Sequence, residues 1–287
     1  MPDNERITSG QMKFLEALAT YRYLTADQAV RLGVSSCRTS CNQNIITPIK
    51  KTCSPLVHFE DFGTIGMKRI PHIHCLNKHG AKILAEYQGV SVDLIPFPKD
   101  GIRFTIDAPH RIATIDTAIE VNLWGERTNT DIDFMDFYFD QKIIAARPRR
   151  LKIPLDPGRK QTGIIPDLVL SFSRGPKQPS AYVIEIHRAP RTTNIFDQLL
   201  NHAKAISARA YVAVREDMKV NPRILSIHQA ETTFDRVREK VHADKRLANL
   251  QPFFLFNTLE QVRSDLTKGW TFADGKAVQA FDNPTTN

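Results

Sequence analysis

The sequence has no run of about 18 apolar residues, so it lacks the signal of a membrane-spanning helix. Its first residues, Met1-Pro2-Asp3-Asn4-Glu5-Arg6, are polar and lack the apolar core of a secretory signal. The expected location is therefore the cytoplasm. Cysteine is scarce. Cys37, Cys41, Cys53 and Cys75 are the only four, and all lie in the first third. A cytoplasmic setting argues against disulfides. The spacing argues against a structural zinc site, whose ligands come in close pairs on tight turns. Reduced, structural thiols are expected. Neither sign of charge is in large excess: 39 Lys+Arg against 31 Asp+Glu gives a net +8 over 287 residues. That balance permits a polyanionic partner without demanding one. Hydrophobic residues at 41% and charged residues at 24% are ordinary globular values. They exclude a disordered chain, a collagen and a coiled coil. The length suggests two domains or one large one.

What is present is unevenly placed. Lys142, Arg147, Arg149, Arg150, Lys152, Arg159 and Lys160 form a basic run broken only by Asp156. An acidic strip, Asp131, Asp133, Asp136 and Asp140, precedes it. The basic run reads either as a solvated face or as a loop that contacts phosphates.

In the first ninety residues, Met12, Phe14, Leu15, Leu18 and Tyr21 have helical spacing. Thr25 and Gln28 have the spacing of a capping box, which opens a short helix through Arg31-Leu32. Gly33 suits the turn that follows. Ser35 or Ser36 is expected to cap a third helix, running to about Lys50. That helix carries Arg38, Thr39, Ser40, Asn42, Gln43 and Asn44, groups able to reach base edges and phosphates. Strands are expected at Leu56–Glu60 and His72–Leu76, with Lys68 and Arg69 in the loop between them. A last helix starts at Asn77-Lys78. The pattern predicts a winged helix-turn-helix over 1–92, with a small helical interaction domain as the alternative.

Prolines and glycines from Gly89 to Gly101 mark a linker at 93–104. Beyond it, residues 105–280 read as a mixed α/β domain, giving an α+β chain. Pro109, His110 and Arg111 open a long helix that also carries Asp116 and Glu120. Strands are expected at 132–139, 164–172 and 181–187, a helix at 193–207 and a strand at 208–214. A helical region at 224–246, a segment at 252–256 and a helix from Leu259 follow.

Two carboxylates carry the chemistry. Asp167 follows Pro166 at a strand start. Glu185 sits among Val183, Ile184 and Ile186, where a buried acid is costly unless paired or bound to a metal. Side chains alternate along a strand, so His187 shares the face of Glu185. In a hairpin Asp167 comes opposite the pair. Two facing carboxylates suit Mg²⁺ or Mn²⁺, which polarises a phosphoryl oxygen and acidifies water. The competing reading has Asp167 capping a turn and Glu185 paired with Arg188 or Arg191.

Pro166-Asp167 and Glu185-Ile186-His187 resemble the two halves of the PD-(D/E)XK nuclease motif, with His187 in place of the usual Lys. The resemblance implies an additional acid on the preceding helix, at Glu120, and a polar group on the following helix, at Gln198. A winged helix, then His110-Arg111, Pro166-Asp167 and Glu185-Ile186-His187-Arg188, is similar to the replication-relaxation family and to MobC-type mobilisation relaxases over roughly residues 8–215. That implies a protein that binds double-stranded DNA at a plasmid or mobile-element origin and nicks one strand, with accessory conjugation or replication proteins as partners. Arg38, Ser40, Asn42, Gln43, Asn44, Lys68, Arg69, His110, Arg111, Arg147, Arg149, Arg150, Arg188 and Arg191 are the expected DNA contacts. Water is the simpler nucleophile, with Tyr21 or Tyr23 as a covalent alternative. Two other functions compete: a DNA-binding regulator on a degenerate nuclease fold, and a restriction-type endonuclease.

Overall fold

A computed structural model describes residues 7–65, 68–102, 107–144, 152–155, 163–173, 180–188, 190–215 and 217–281. The chain forms two compact units: Met1–Ile119 with Gln141–Pro148, and Glu120–Asp140 with Arg149–Asn287.

In the first unit, α1 (Ser9–Tyr21) buries Phe14, Leu15, Leu18 and Tyr21 on one side. Thr8 and Gln11 form its capping box. Thr25 and Gln28 do the same for α2 (Ala26–Arg31). Gly33 takes a left-handed φ of 69° after it. The third helical run joins α3 (Arg38–Ser40), a π-helical stretch Cys41–Ile46 and α4 (Thr47–Lys51). The wide turn ends at Thr47, whose N–H reaches Asn42 O, just before Pro48, which has no N–H to donate. Neither Ser35 nor Ser36 caps this run. The cap is Cys37, whose extended backbone lets its Sγ accept from Ser40 N at 3.5 Å.

Strands β1 (Val57–Glu60) and β4 (Ile73–Leu76) pair antiparallel, with Val57 opposite Leu76. Short strands β2 (Thr64–Ile65) and β3 (Lys68–Arg69) form a second antiparallel pair within the connection between them. Asp61 shapes this connection. Its Oδ1 accepts from Gly63 N, while Oδ2 takes Arg69 and His72, each at 3.0 Å. Leu24 adds an antiparallel bridge to His74. Asn77 caps α5 (Lys78–Gln88). Gly80 is needed there, because a Cβ would meet Leu56 O at 2.1 Å. The described part of the expected linker is folded into this unit. A 3₁₀ turn, Val92–Leu94, leads to β5 (Phe97–Pro98), which pairs with β7 (Ile143–Ile144). Ile95 and Phe97 are buried. The division between the units falls instead inside α6 (Ala108–Thr128).

The second unit is built on a five-stranded mixed sheet. Its strands are β6 (Asp131–Phe137), β10 (Leu168–Ser173), β11 (Ser180–His187), β12 (Arg223–His228) and β13 (Phe254–Thr258), in the order β13-β12-β11-β10-β6. β11, β12 and β13 run parallel, and β10 is antiparallel to both β6 and β11. A small separate pair joins β8 (Ile153–Pro154) to β9 (Gly163–Ile164). The helices are α7 (Thr192–Ser207), α8 (Ala210–Val214), α9 (Glu231–Ala243) and α10 (Leu259–Ser264).

The two sheet faces are covered differently. Val169, Ala181, Val183, Ile224, Phe254 and Phe256 form a core with Ile195, Phe196 and Leu199 of α7 and Val237 and Val241 of α9. On the other face, Trp124 of α6 and Phe281 meet edge to face at 5.0 Å, and both approach Phe172. Parallel strands covered on both faces carry near-continuous apolar runs, as β11 and β12 do.

Two expectations are corrected here. Residues 208–214, expected as a strand, hold α8, entered through Arg209 at a φ of 52°. The helical reading of 224–246 fails at its start, where β12 stands between β11 and β13, and α9 begins at Glu231. Ile224-Leu225-Ser226-Ile227-His228 is a five-residue buried run, and periodicity cannot assign so short a stretch. Among the described residues, no helix is long and apolar enough to cross a membrane.

Candidate functional site

The β10/β11 register pairs Leu168 with Ile184. One step further along, Asp167 comes opposite Glu185, on the face covered by α7. Asp167 Oδ2 accepts from Ile186 N at 2.7 Å, and its carbonyl accepts from Tyr138 N at 3.0 Å. The two carboxyl groups lie close enough to interact. Burial pushes the Glu185 carboxyl well above its ordinary range, and the Asp167 charge adds to the rise. The hydrogen bond from Gln198 opposes it.

Glu185 is 1% exposed, and both of its oxygens are approached from α7. Gln198 Nε2 donates to Oε2. His202 Nε2 lies 2.8 Å from Oε1 but off the hydrogen-bond axis, so neither of these two atoms has a hydrogen-bond partner. The other side of the His202 ring is held, with Nδ1 2.5 Å from the Tyr211 hydroxyl. Burial draws His202 down to about 3, leaving the imidazole neutral at ordinary pH. Burial and the Glu185 charge push the Tyr211 phenol up, so it keeps its proton.

His187 shares this face and is also buried. Its ring lies 4.8 Å from that of His228, its register partner on β12. His228 Nε2 contacts Ser226 Oγ at 2.9 Å, and burial lowers this imidazole to about 4. Asp167, Glu185, His187 and Gln198 are thus gathered at one end of the sheet. Glu120 is buried on α6, the helix that covers the opposite face. Arg188 and Arg191 are exposed, and Arg188 Nε donates to Gln229 at 3.0 Å. Glu185 pairs with neither of them. Its partners come from β10 and α7.

In the first unit, Arg38, Gln43 and Asn44 are exposed on the third helical run, and Ser40 and Asn42 are half-buried. Arg38 approaches Asp27 at 3.6 Å, and Asn44 donates to Ser40 Oγ. Arg69 is exposed beside Asp61. Arg111 is buried, with its Nε donating to Asp107 at 2.8 Å and its guanidinium over Tyr23. His110 is half-buried at the start of α6. Tyr21 and Tyr23 are both packed inside this unit. Arg147, Arg149 and Arg150 lie outside the described residues, and so does the side chain of Lys68. All four cysteines are free thiols, with Cys41 and Cys75 buried. Among the described residues, no group of three or more His, Cys, Asp or Glu side chains could hold a metal ion.

His202 and Tyr211 are the residues that sequence reasoning missed. A signal for His202 was present, since it follows Gln198 by one helical turn and both face inward. Tyr211 was hidden by the strand reading of its segment. No family model matches the chain, and neither a curated protein nor a solved structure matches it significantly.

Proposed function

We propose that this chain is a DNA-binding protein whose second unit is a metal-dependent endonuclease that nicks DNA, of the PD-(D/E)XK type. The observation that carries the reading is the placement of Asp167 directly across from Glu185, carboxyl against carboxyl, at the end of a mixed sheet. The sheet strands β6, β10 and β11 between α6 and α7 support the same reading, as does Gln198 bonded to Glu185 from the following helix.

The donor set suits a hard divalent cation. Two carboxyls face each other, and the buried Oε1 of Glu185 lacks a hydrogen bond. Asp167 and Glu185 would hold Mg²⁺ or Mn²⁺, which supplies Lewis-acid polarisation of a phosphate and acidification of water. Gln198 fixes the rotamer of Glu185. The Asp167 carboxylate is anchored by Ile186 N. His187 stands where the motif carries Lys. A neutral imidazole can accept a proton from attacking water but brings no charge to the phosphate. Exposed Arg188 and Arg191 supply cations instead.

A winged helix in the first unit would bind the DNA. Support comes from two capped helices, a third helical run with exposed Arg38, Gln43 and Asn44, and the β1–β4 hairpin bridged to Leu24. The likeness to mobilisation relaxases points to an origin on a plasmid or mobile element as the target, to accessory conjugation or replication proteins, and to the cytoplasm.

A second reading, a DNA-binding regulator without cleavage, draws on His187 in the Lys position and on the depth of Glu185. Supercoiled plasmid incubated with Mg²⁺ or Mn²⁺ separates the readings. Open circles are expected. Linear product would indicate a restriction-type enzyme, and unchanged plasmid would indicate the regulator. Asp167→Ala and Glu185→Ala should abolish nicking while gel-shift binding persists.

A further inference from the structure

We propose that the C-terminal end of α5 is a self-association surface, on which a second copy of this chain docks about a two-fold axis. The proposal concerns the first unit alone and is independent of the nuclease reading.

Exposed apolar side chains are concentrated there. Tyr87 at 65%, Val90 at 40% and Leu94 at 56% are large hydrophobics open to solvent. Tyr87 lies in the last turn of α5, and Val90 follows the Gly89 cap. Leu94 closes the 3₁₀ turn that packs against this helix. Large hydrophobics exposed singly are ordinary, but a cluster of them marks an interaction site. Half-buried Ile83 stands one turn before Tyr87 on the same side of α5. The helix already buries Ala81, Leu84 and Ala85 in its own unit. Its apolar surface is therefore wider than one core contact needs.

The charges beside this patch select the partner. Lys82 and Glu86 are exposed, one turn apart, on the polar flank of Ile83 and Tyr87. Among the described residues neither takes part in an ion pair. A two-fold contact requires a patch to complement itself. Two α5 helices set antiparallel about an axis beside Leu84 meet that requirement. Lys82 then faces the partner's Glu86, and the same pair forms again across the axis. Ile83 packs between the partner's Ile83 and the partner's Tyr87. A patch of so few side chains falls below the standard interface of about 1,200–2,000 Å². The dimer is accordingly weak and forms at high concentration.

Sedimentation velocity of the full chain, from about 1 μM to 1 mM, should show a monomer–dimer equilibrium. Tyr87→Ser removes the most exposed anchor and should weaken the dimer about 10-fold or more. Lys82→Glu and Glu86→Lys each place like charges opposite one another and should each weaken it about 10-fold or more. An equimolar mixture of these two variants restores opposite charges across the axis and should recover a heterodimer. All three positions are exposed, so the fold should tolerate the changes, with circular dichroism as the check. A chain that stays monomeric throughout would overturn the proposal and leave the face to a different partner. A dimer that Tyr87→Ser leaves at full strength, or a mixture that recovers nothing, would also overturn it.

Discussion

Arg215 and Asp136 form a deeply buried ion pair of the second unit, and its removal gives a measurable test of how the sheet edge beside the site is held. Their closest approach is 2.6 Å, with side chains 6% and 1% exposed. Asp136 lies on β6 opposite Val169, two residues along β10 from Asp167. The two replacements should not be equal. In Arg215→Met the Asp136 carboxylate stays buried without the guanidinium, and removing one partner of a buried pair costs about 3–5 kcal/mol. In Asp136→Asn the guanidinium keeps Asp217, bonded through Nε at 3.1 Å and Nη2 at 2.9 Å, and its place over Phe134 at 4.3 Å. The loss is then nearer a single charged hydrogen bond, about 1.5–3 kcal/mol. For a unit of this size about 1 kcal/mol moves the midpoint by about 2–4 °C. Arg215→Met should therefore melt about 6–20 °C lower. The double replacement leaves no buried charge and should recover much of that loss. Urea unfolding read by circular dichroism provides the cycle. A cost below about 1 kcal/mol for Arg215→Met, the value of an exposed pair, would refute the argument.

Glu185→Gln should raise stability at neutral pH. The folded carboxyl titrates above its unfolded range, so ionisation of the unfolded state drains stability as pH rises from about 4.5, and Gln removes that slope. Urea midpoints at pH 4.5 and 7.5 check it, and a lower midpoint for the variant at pH 7.5 would count against it. His74 acts in the opposite direction in the first unit. Burial first, and then Lys50 and His72, hold it at about 3 against an ordinary 6.5. Stability should fall by about 1.4 kcal/mol for each pH unit descended between these limits. His74→Phe should flatten that fall in acid titrations followed by fluorescence. Neutralising Arg147, Arg149 and Arg150 should reduce the slope of log affinity against log salt by about 0.9 for each phosphate that is no longer neutralised. A slope equal to wild type would remove the basic run from the DNA interface.

Much of the architecture was legible where chemistry acts over a few residues. Thr25 and Gln28 could be paired by spacing alone, because a capping box closes within one turn. Asp167 and Glu185 could be brought face to face because a hairpin fixes register and strand side chains alternate. The errors lie where a choice depends on distant neighbours. Ile224–His228 becomes a strand because β11 and β13 flank it. The segment at Ala210–Val214 is apolar enough for a strand, yet it turns back as a helix that brings Tyr211 to His202. Cys37 caps the third helical run although serine is the better capping residue, because the extended backbone falls at position 37. In sequence, His202 is one more member of an amphipathic stripe. Only the folded sheet reveals that its ring meets a carboxylate.

The surroundings of Glu185 bear on whether the arrangement is structural or functional. A core acid surrounded by Val183, Ile184 and Ile186 loses hydration, and the adjacent Asp167 adds repulsion. The favourable contacts are few. Gln198 gives one hydrogen bond, and His202 stands close but off axis. A purely structural carboxylate would be met by a cation or by several backbone N–H groups, as Asp136 is by Arg215 in the same unit. The sheet therefore contains both solutions close together, an acid at Asp136 met by a guanidinium and a buried acid at Glu185 that faces Asp167. Fold stability accounts for the first. The second is where the proposal places a divalent cation, which is why the carboxyl pair, rather than the net +8 of the chain, carries the proposal of DNA cleavage.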